Sequence, residues 1–404
     1  MANMNESEIL RIYRLSADKI NKVQTHLKRY CFDAMNWNDR LIALKGARGV
    51  GKTTLLLQKI RESGLEAKQT LYVSLDSVWL EAKDIWLLAE YHSQHGGTRL
   101  VLDEVHYLQD WQRLIKNLYD DFPDLKVAYT GSSMLRIKTR QGDLSRRQVD
   151  YELFGLSFRE FLQFEGVLDY SPLSLDEILE HHLDVAREVQ SKLKVLPLFE
   201  RYLRSGYYPF YRESLSKYGE RICAIVNQTL DSDWPSVEEI TPATIRRTRK
   251  MLKILAERPP QTPKMTVLYN ELGTERQHGL KMLYGLERAG LLRLLSSERE
   301  NLKTISTPEK IYCDNTNLTH AIVPQPDIGM ARETFFANQL SVSHRLAYPR
   351  KGDFLVDDKW LFEVGGSGKG FDQIADEPNS YVVNDGVELG VGNRIPLWVM
   401  GFLY

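Results

Sequence analysis

The chain has 404 residues, room for two to four domains, and its 43% hydrophobic and 26% charged content is that of an ordinary globular protein. A net charge of −1 implies no global attraction to polyanions. Cys31, Cys223 and Cys313 are sparse and lack metal spacing, no 18-residue apolar run occurs, and the N-terminus lacks a basic-then-apolar leader. These features argue against a disulfide framework and a membrane span, so the expected setting is cytoplasmic.

In chain order, residues 6–40 are helical in pattern and carry Tyr30, Phe32 and Trp37, a layer expected to pack on a sheet. The apolar run Leu41-Ile42-Ala43-Leu44 reads as a strand. It leads into Gly46, Ala47, Arg48, Gly49, Val50, Gly51, Lys52 and Thr53, and Thr54 continues into a helix over 52–62. Strand, glycine-rich turn and helix N-terminus together form an anion cradle, with backbone N–H groups and the helix dipole facing phosphate. In such a loop Lys52 reaches the β- and γ-phosphates and the Thr53 hydroxyl ligates Mg²⁺.

Further strands are expected near 71–75, 100–103, 126–130 and 151–154, with helices over 83–94 and 110–121 between them. This alternation predicts an α/β fold, a parallel sheet with helices on both faces. The strand Leu100-Val101-Leu102 ends in Asp103 and Glu104. Asp103 is the candidate for holding Mg²⁺, directly or through water, and Glu104 for polarising the attacking water. The strand near 126–130 ends in Gly131-Ser132-Ser133, where Ser132 could touch the γ-phosphate or that water. Arg146 and Arg147 follow, candidates either for stabilising transition-state charge, in cis or from a neighbouring subunit, or for surface ion pairs.

Residues 157–240 are predicted to be a mostly helical lid or connector. Residues 241–310 then hold 14 Lys/Arg against 7 Asp/Glu. A helix over 245–257 carries Arg246, Arg247, Arg249 and Lys250, and Pro259, Pro260 and Pro263 break it. Two short helices over 266–272 and 276–289, then a hairpin of 291–295 with 303–305, predict a winged helix. Its basic bias suits DNA phosphate, and the alternative is a protein-contact module. In the last eighty residues Asp353 opens a strand over 354–356 and Glu363 lies in the next, 360–364. Two such carboxylates could hold Mg²⁺ for phosphodiester hydrolysis. The lysine expected two residues after the glutamate is Gly365, and Lys369 lies further on in a glycine-rich loop.

By these motifs the chain resembles the AAA-type ATPases that carry a C-terminal domain of unknown function, a bacterial and archaeal group. The resemblance rests on 46–53, on Leu102-Asp103-Glu104-Val105-His106 with Asp110-Trp111, on Thr130-Gly131-Ser132-Ser133, on Leu156-Ser157-Phe158-Arg159-Glu160-Phe161, and on Glu309-Lys310-Ile311-Tyr312-Cys313-Asp314. It implies ATP as the nucleotide and an AAA-like core over 1–165. A helical connector would follow over 166–240, a winged helix over 241–320 and a restriction-endonuclease-like end domain over 321–404. It puts the family's loop arginine on Arg147, and the Gly365 departure puts nuclease activity in doubt. The expected function is Mg²⁺-dependent ATP hydrolysis coupled to the later domains, on DNA or on a protein partner. The alternative is a nucleotide-regulated binding module with little turnover.

Overall fold

The computed structural model describes residues 4–76, 80–132, 143–258, 265–297 and 307–404. Strand β1 (Leu41–Gly46) is buried at every position. Around it form β2 (Thr70–Ser74), β3 (Arg99–Asp103), β4 (Lys126–Ser132) and β5 (Val149–Glu152), in the order β2-β3-β4-β1-β5. Every neighbouring pair is parallel. Apolar runs such as Leu41–Leu44 and Leu100–Leu102 suit strands covered on both faces. β4 separates β1 from β3, and the C-terminal ends of all three meet at one edge, where open parallel sheets bind ligands.

Helices α1 (Glu6–Lys22), α2 (Cys31–Ala34), α3 (Lys52–Glu62), α4 (Ala82–Gln94) and α5 (Trp111–Asp121) flank this sheet. α1 packs on β2 and α3, while α4 packs on α5. Asn5 caps α1 reciprocally with Glu8, satisfying two otherwise orphan N–H groups. The helical layer expected over 6–40 is therefore only α1 and α2. Val23 turns extended (φ −66°, ψ 135°) and ends α1. The chain after it places Arg29 to donate to the carbonyls of Val50 and Phe154. The strand expected at 151–154 is β5, two residues earlier; Leu153 instead donates its N–H to the Lys45 carbonyl.

The chain forms two compact units: the stretch up to Phe154 together with Asp231–Glu239, and Gly155–Leu230 with Ile240–Tyr404. The first boundary falls before the expected 165 because Ser157 and Arg159 both donate to the Tyr404 carbonyl at the chain's far end. The helices Val195–Ser205 and Tyr218–Gln228 do not stand apart as a connector. They share a core with the helix Thr316–Ile322, whose Asn317 accepts from the Tyr207 N–H and the Tyr218 hydroxyl.

Within the second unit, helices Pro242–Glu257, Met265–Glu271 and Arg276–Arg288 precede a two-stranded antiparallel pair, β6 (Leu292–Leu295) with β7 (Lys310–Cys313). Among the described residues β6 pairs with β7. Residues 303–305, together with Ser133, Pro259, Pro260 and Pro263, lie outside the described residues. The end of the chain adds β8 (Leu346–Ala347), β9 (Phe354–Val356), β10 (Trp360–Gly365), β11 (Ser380–Asn384) and β12 (Arg394–Pro396). They form a mixed sheet, β12-β11-β10-β9-β8, with the helix Ile328–Leu340 packed on β10. No helix among the described residues is long and apolar enough to cross a membrane.

Candidate active site

The turn after β1 is held by close backbone contact. A Cβ on Gly46 would meet the Leu153 carbonyl oxygen at 2.3 Å, so only glycine lets β1 end there. Gly51, at φ 100°, turns the chain into α3, a conformation that costs most residues about 1–2 kcal/mol. The Arg29 guanidinium braces the turn from outside, 2.7 Å from the Val50 carbonyl. Lys52, 5% exposed, donates to the carbonyls of Gly46 (3.0 Å) and Ala47 (3.1 Å). The N-terminal turn of α3, which begins at Lys52, thus presents its first N–H groups with an ammonium beside them.

The acids at the end of β3 meet this loop. The Thr53 hydroxyl donates to Asp103 Oδ2 at 2.7 Å, and the Tyr72 hydroxyl to the same oxygen at 2.6 Å. Thr130 on β4 donates its hydroxyl to Asp103 Oδ1 and accepts the Glu104 N–H at 2.8 Å. Burial, then the Asp103 charge, pushes the Tyr72 hydroxyl far above its ordinary range, so it stays a donor. Glu104 sits at φ 59°, a left-handed backbone uncommon outside glycine and frequent at functional sites. Its Oε1 lies 4.0 Å from Lys52 Nζ and its Oε2 lies 3.2 Å from His106 Nδ1. Ser132 ends β4 beside Gly46, its partner in the ladder.

Lys52, Thr53, Asp103, Glu104 and Ser132 therefore converge on one edge of the sheet. Residues 38–162 match the family of AAA domains. Two relatives lie alongside: an uncharacterized protein of Methanocaldococcus jannaschii and an uncharacterized protein of Haemophilus influenzae. The first is 26% identical over 95% of this chain and 90% of its own length. The second is 26% identical over 33% of this chain and 36% of its own. A solved S. cerevisiae Hsp104–ADP complex is 19% identical with a TM-score of 0.28, covering 72% of this chain and 39% of that one. The AAA match supports an ATPase-type function, and the five-stranded parallel sheet flanked by helices is AAA-like.

Arg147 is set on Asp120, near the end of α5, with Nε 3.2 Å from Oδ1. Sequence reasoning left four residues at this site out of its candidates: Tyr72, Thr130, His106 and Asp233. Thr130 carried a signal, a hydroxyl at a strand end two residues before Ser132. Tyr72 read as strand core, and Asp233 is 129 positions beyond Glu104.

The second candidate site, on β9 and β10, is a cluster of ion pairs. Asp353 directly precedes β9 and donates its N–H to the Phe362 carbonyl of β10, while the Val364 N–H donates to Asp353 Oδ2 at 2.9 Å; Glu363 lies between those two residues in β10. Lys310, 7% exposed, lies 3.0 Å from Asp353 and 2.8 Å from Glu333, and the Tyr312 hydroxyl donates to Glu333. Lys369 folds over Gly365 and pairs with Glu363. Burial, then the neighbouring Asp353 charge, pushes the Glu333 carboxyl upward, and burial does the same to Glu363. Burial alone would lower the Lys310 ammonium, but Glu333 and Asp353 outweigh it and raise it. The carboxylates offered as metal ligands are taken by the chain's own ammonium groups. Among the described residues no group of three or more His, Cys, Asp or Glu side chains gathers as a metal site.

Proposed function

We propose that this chain binds ATP with Mg²⁺ at the loop 46–53 and hydrolyses it. The observation that carries the proposal is the 2.7 Å contact between the Thr53 hydroxyl and Asp103, with Lys52 and Glu104 alongside. The donor set fits a hard cation: Thr53 and Asp103 offer a hydroxyl and a carboxylate, the oxygen ligands that Mg²⁺ prefers. The chemistry a bound Mg²⁺ supplies there is neutralisation of charge on the phosphate oxygens.

The protein's own parts divide the remaining work. The backbone N–H groups of Gly46, Ala47, Arg48, Gly49, Val50, Gly51, Lys52, Thr53 and Thr54 cradle the phosphates. Lys52 shifts from the Gly46 and Ala47 carbonyls to the β- and γ-phosphate oxygens. Glu104 accepts a hydrogen bond from the attacking water and aligns it, while Thr130 holds the Glu104 backbone in its left-handed turn. Ser132 contacts the terminal phosphate or that water, and Arg147 is the candidate for offsetting developing charge, in cis or from a neighbouring copy of the chain.

The output is assigned to duplex DNA. The helices Pro242–Glu257 and Arg276–Arg288 with the β6–β7 pair are read as a winged helix, and Arg246, Arg247, Arg276 and Lys281 are exposed on them to meet phosphates. Because Asp353 and Glu363 are each paired with a lysine, no phosphodiester cleavage is assigned to them.

Calorimetric titration of ATP·Mg²⁺ into the wild type and Lys52→Ala tests the binding step. The expected outcome is a loss of affinity of about 100-fold or more, the scale of removing a charge-assisted contact from a dry site. Equal affinity would remove ATP from this loop.

A further inference from the structure

Asp233 is fully buried, and neither of its carboxylate oxygens has a hydrogen-bond partner among the described residues. Both ring nitrogens of buried His106 are in the same condition. Leaving such groups unpaired away from water is costly, so two neighbouring residues with four orphaned atoms demand a reason. They are near one another: His106 Nε2 lies 3.5 Å from Asp233 Oδ1, within reach of an ion pair but outside hydrogen-bond geometry. On the other side of the ring, Nδ1 lies 3.2 Å from Glu104 Oε2. Three side chains thus form a line, Glu104–His106–Asp233, each a few tenths of an ångström from a good hydrogen bond.

The line is anchored at both ends. Glu104 points its other oxygen towards Lys52, 4.0 Å away, the side from which the terminal phosphate is approached. Asp233 also lies 3.7 Å from Nη1 of Arg48 in the phosphate loop, and Nη2 of that arginine donates to the Tyr107 hydroxyl at 3.1 Å. Tyr107 is stacked at a tilt on the His106 ring, centroids 4.4 Å apart. The carboxylate arrives on a stretch far from the loop in sequence. A π-helical turn, Thr229–Asp233, leads into the short helix Trp234–Val237, which packs against the turn Val105–Tyr107. π-turns inside helices recur at functional positions.

We propose that Asp233 is a positioning residue for ATP hydrolysis, holding the His106 ring so that Nδ1 fixes one oxygen of Glu104 and leaves the other to the attacking water. This rests on the ATPase reading above. It follows the general logic in which a base is itself oriented by a third group. Asp233 is fully buried behind the His106 ring and meets only the side chain of Arg48 in the loop, whose backbone N–H groups cradle the phosphates, so its removal is expected to lower turnover far more than ATP affinity.

The test uses the full chain and the variants Glu104→Gln, Asp233→Asn, His106→Ala and the double variant Asp233→Asn/His106→Ala. Asp233→Asn is expected to lower kcat at least 10-fold with the ATP Kd within threefold of wild type. The double variant should be no slower than His106→Ala alone, because residues acting through one another are not additive. Without nucleotide, the imidazole ¹⁵N resonances of His106, assigned by their loss in His106→Ala, should shift in Asp233→Asn. Unchanged His106 resonances, additive losses in the double variant, or kcat and Kd moving together would each overturn the assignment. A wild type no faster than Glu104→Gln would overturn the hydrolysis reading and this assignment with it; a fast wild type with a slow Glu104→Gln and a fast Asp233→Asn would overturn this assignment alone.

Discussion

Among single residues, His92 shows how the fold decides a protonation state. It is fully buried in the first unit, with the Tyr13 hydroxyl 2.6 Å from Nδ1 and the Arg99 carbonyl 3.1 Å from Nε2. A neutral ring satisfies both, accepting at Nδ1 and donating at Nε2. Burial accordingly lowers its pKa below the ordinary 6.5. A depressed value means that the unfolded chain binds the proton more readily. The stabilisation is therefore present above pH 6.5 and is lost as pH falls below it towards the folded-state pKa. In urea unfolding, this histidine is expected to contribute a slope of up to about 1.4 kcal/mol per pH unit over that window. His92→Gln should flatten that contribution, and an unchanged slope would assign it elsewhere. The residue scale is also where sequence reading divides most sharply. Lys52, Thr53, Asp103 and Glu104 were legible because phosphate loops and acid-ended strands are contiguous patterns. Tyr72, His106 and Asp233 were not, because each acts across 19 to 181 positions from Lys52 or Thr53 and reads locally as core or turn.

Between elements, the junction of β1 with the chain after β5 fixes the phosphate loop. The Lys45 carbonyl accepts the Leu153 N–H, and the Leu153 carbonyl then lies where a Gly46 side chain would begin. Gly46→Ala must push these segments apart and is expected to lower stability by about 1–3 kcal/mol, as overpacking does. Gly219→Ala meets nothing within 4 Å and serves as the control. Matching urea midpoints for the two variants would show that the contact yields freely. β1, α3 and α5 were legible from apolar runs and the alternation of strand and helix patterns. β5 was displaced by two residues because Leu153 is buried yet lies beyond the ladder, and apolarity alone cannot separate those conditions. The pairing of β6 with β7 was not legible for a related reason. Lys310–Cys313 is buried at every position, and its lysine is held inside by Glu333 and Asp353, a pairing no local pattern reveals.

For the whole molecule, the sequence suggested four consecutive segments, but the chain doubles back. Asp231–Glu239 rejoins the first unit between two long stretches of the second. Composition cannot signal such a return, since the nine residues carry no distinctive pattern of their own. The assignment of the basic helices to DNA belongs to this scale, because it makes nucleotide turnover the input and duplex contact the output. Both depend on whether the site at the end of β1 and β3 turns ATP over. The direct measurement is steady-state hydrolysis of ATP·Mg²⁺ by the wild type and Glu104→Gln, each with and without duplex DNA, alongside ATP affinity. The expected result is wild-type turnover that DNA stimulates, a loss of about 100-fold or more in Glu104→Gln, and ATP affinity retained in the variant. Equal rates in the two proteins would contradict the assignment of Glu104, and with it the claim that this site hydrolyses ATP.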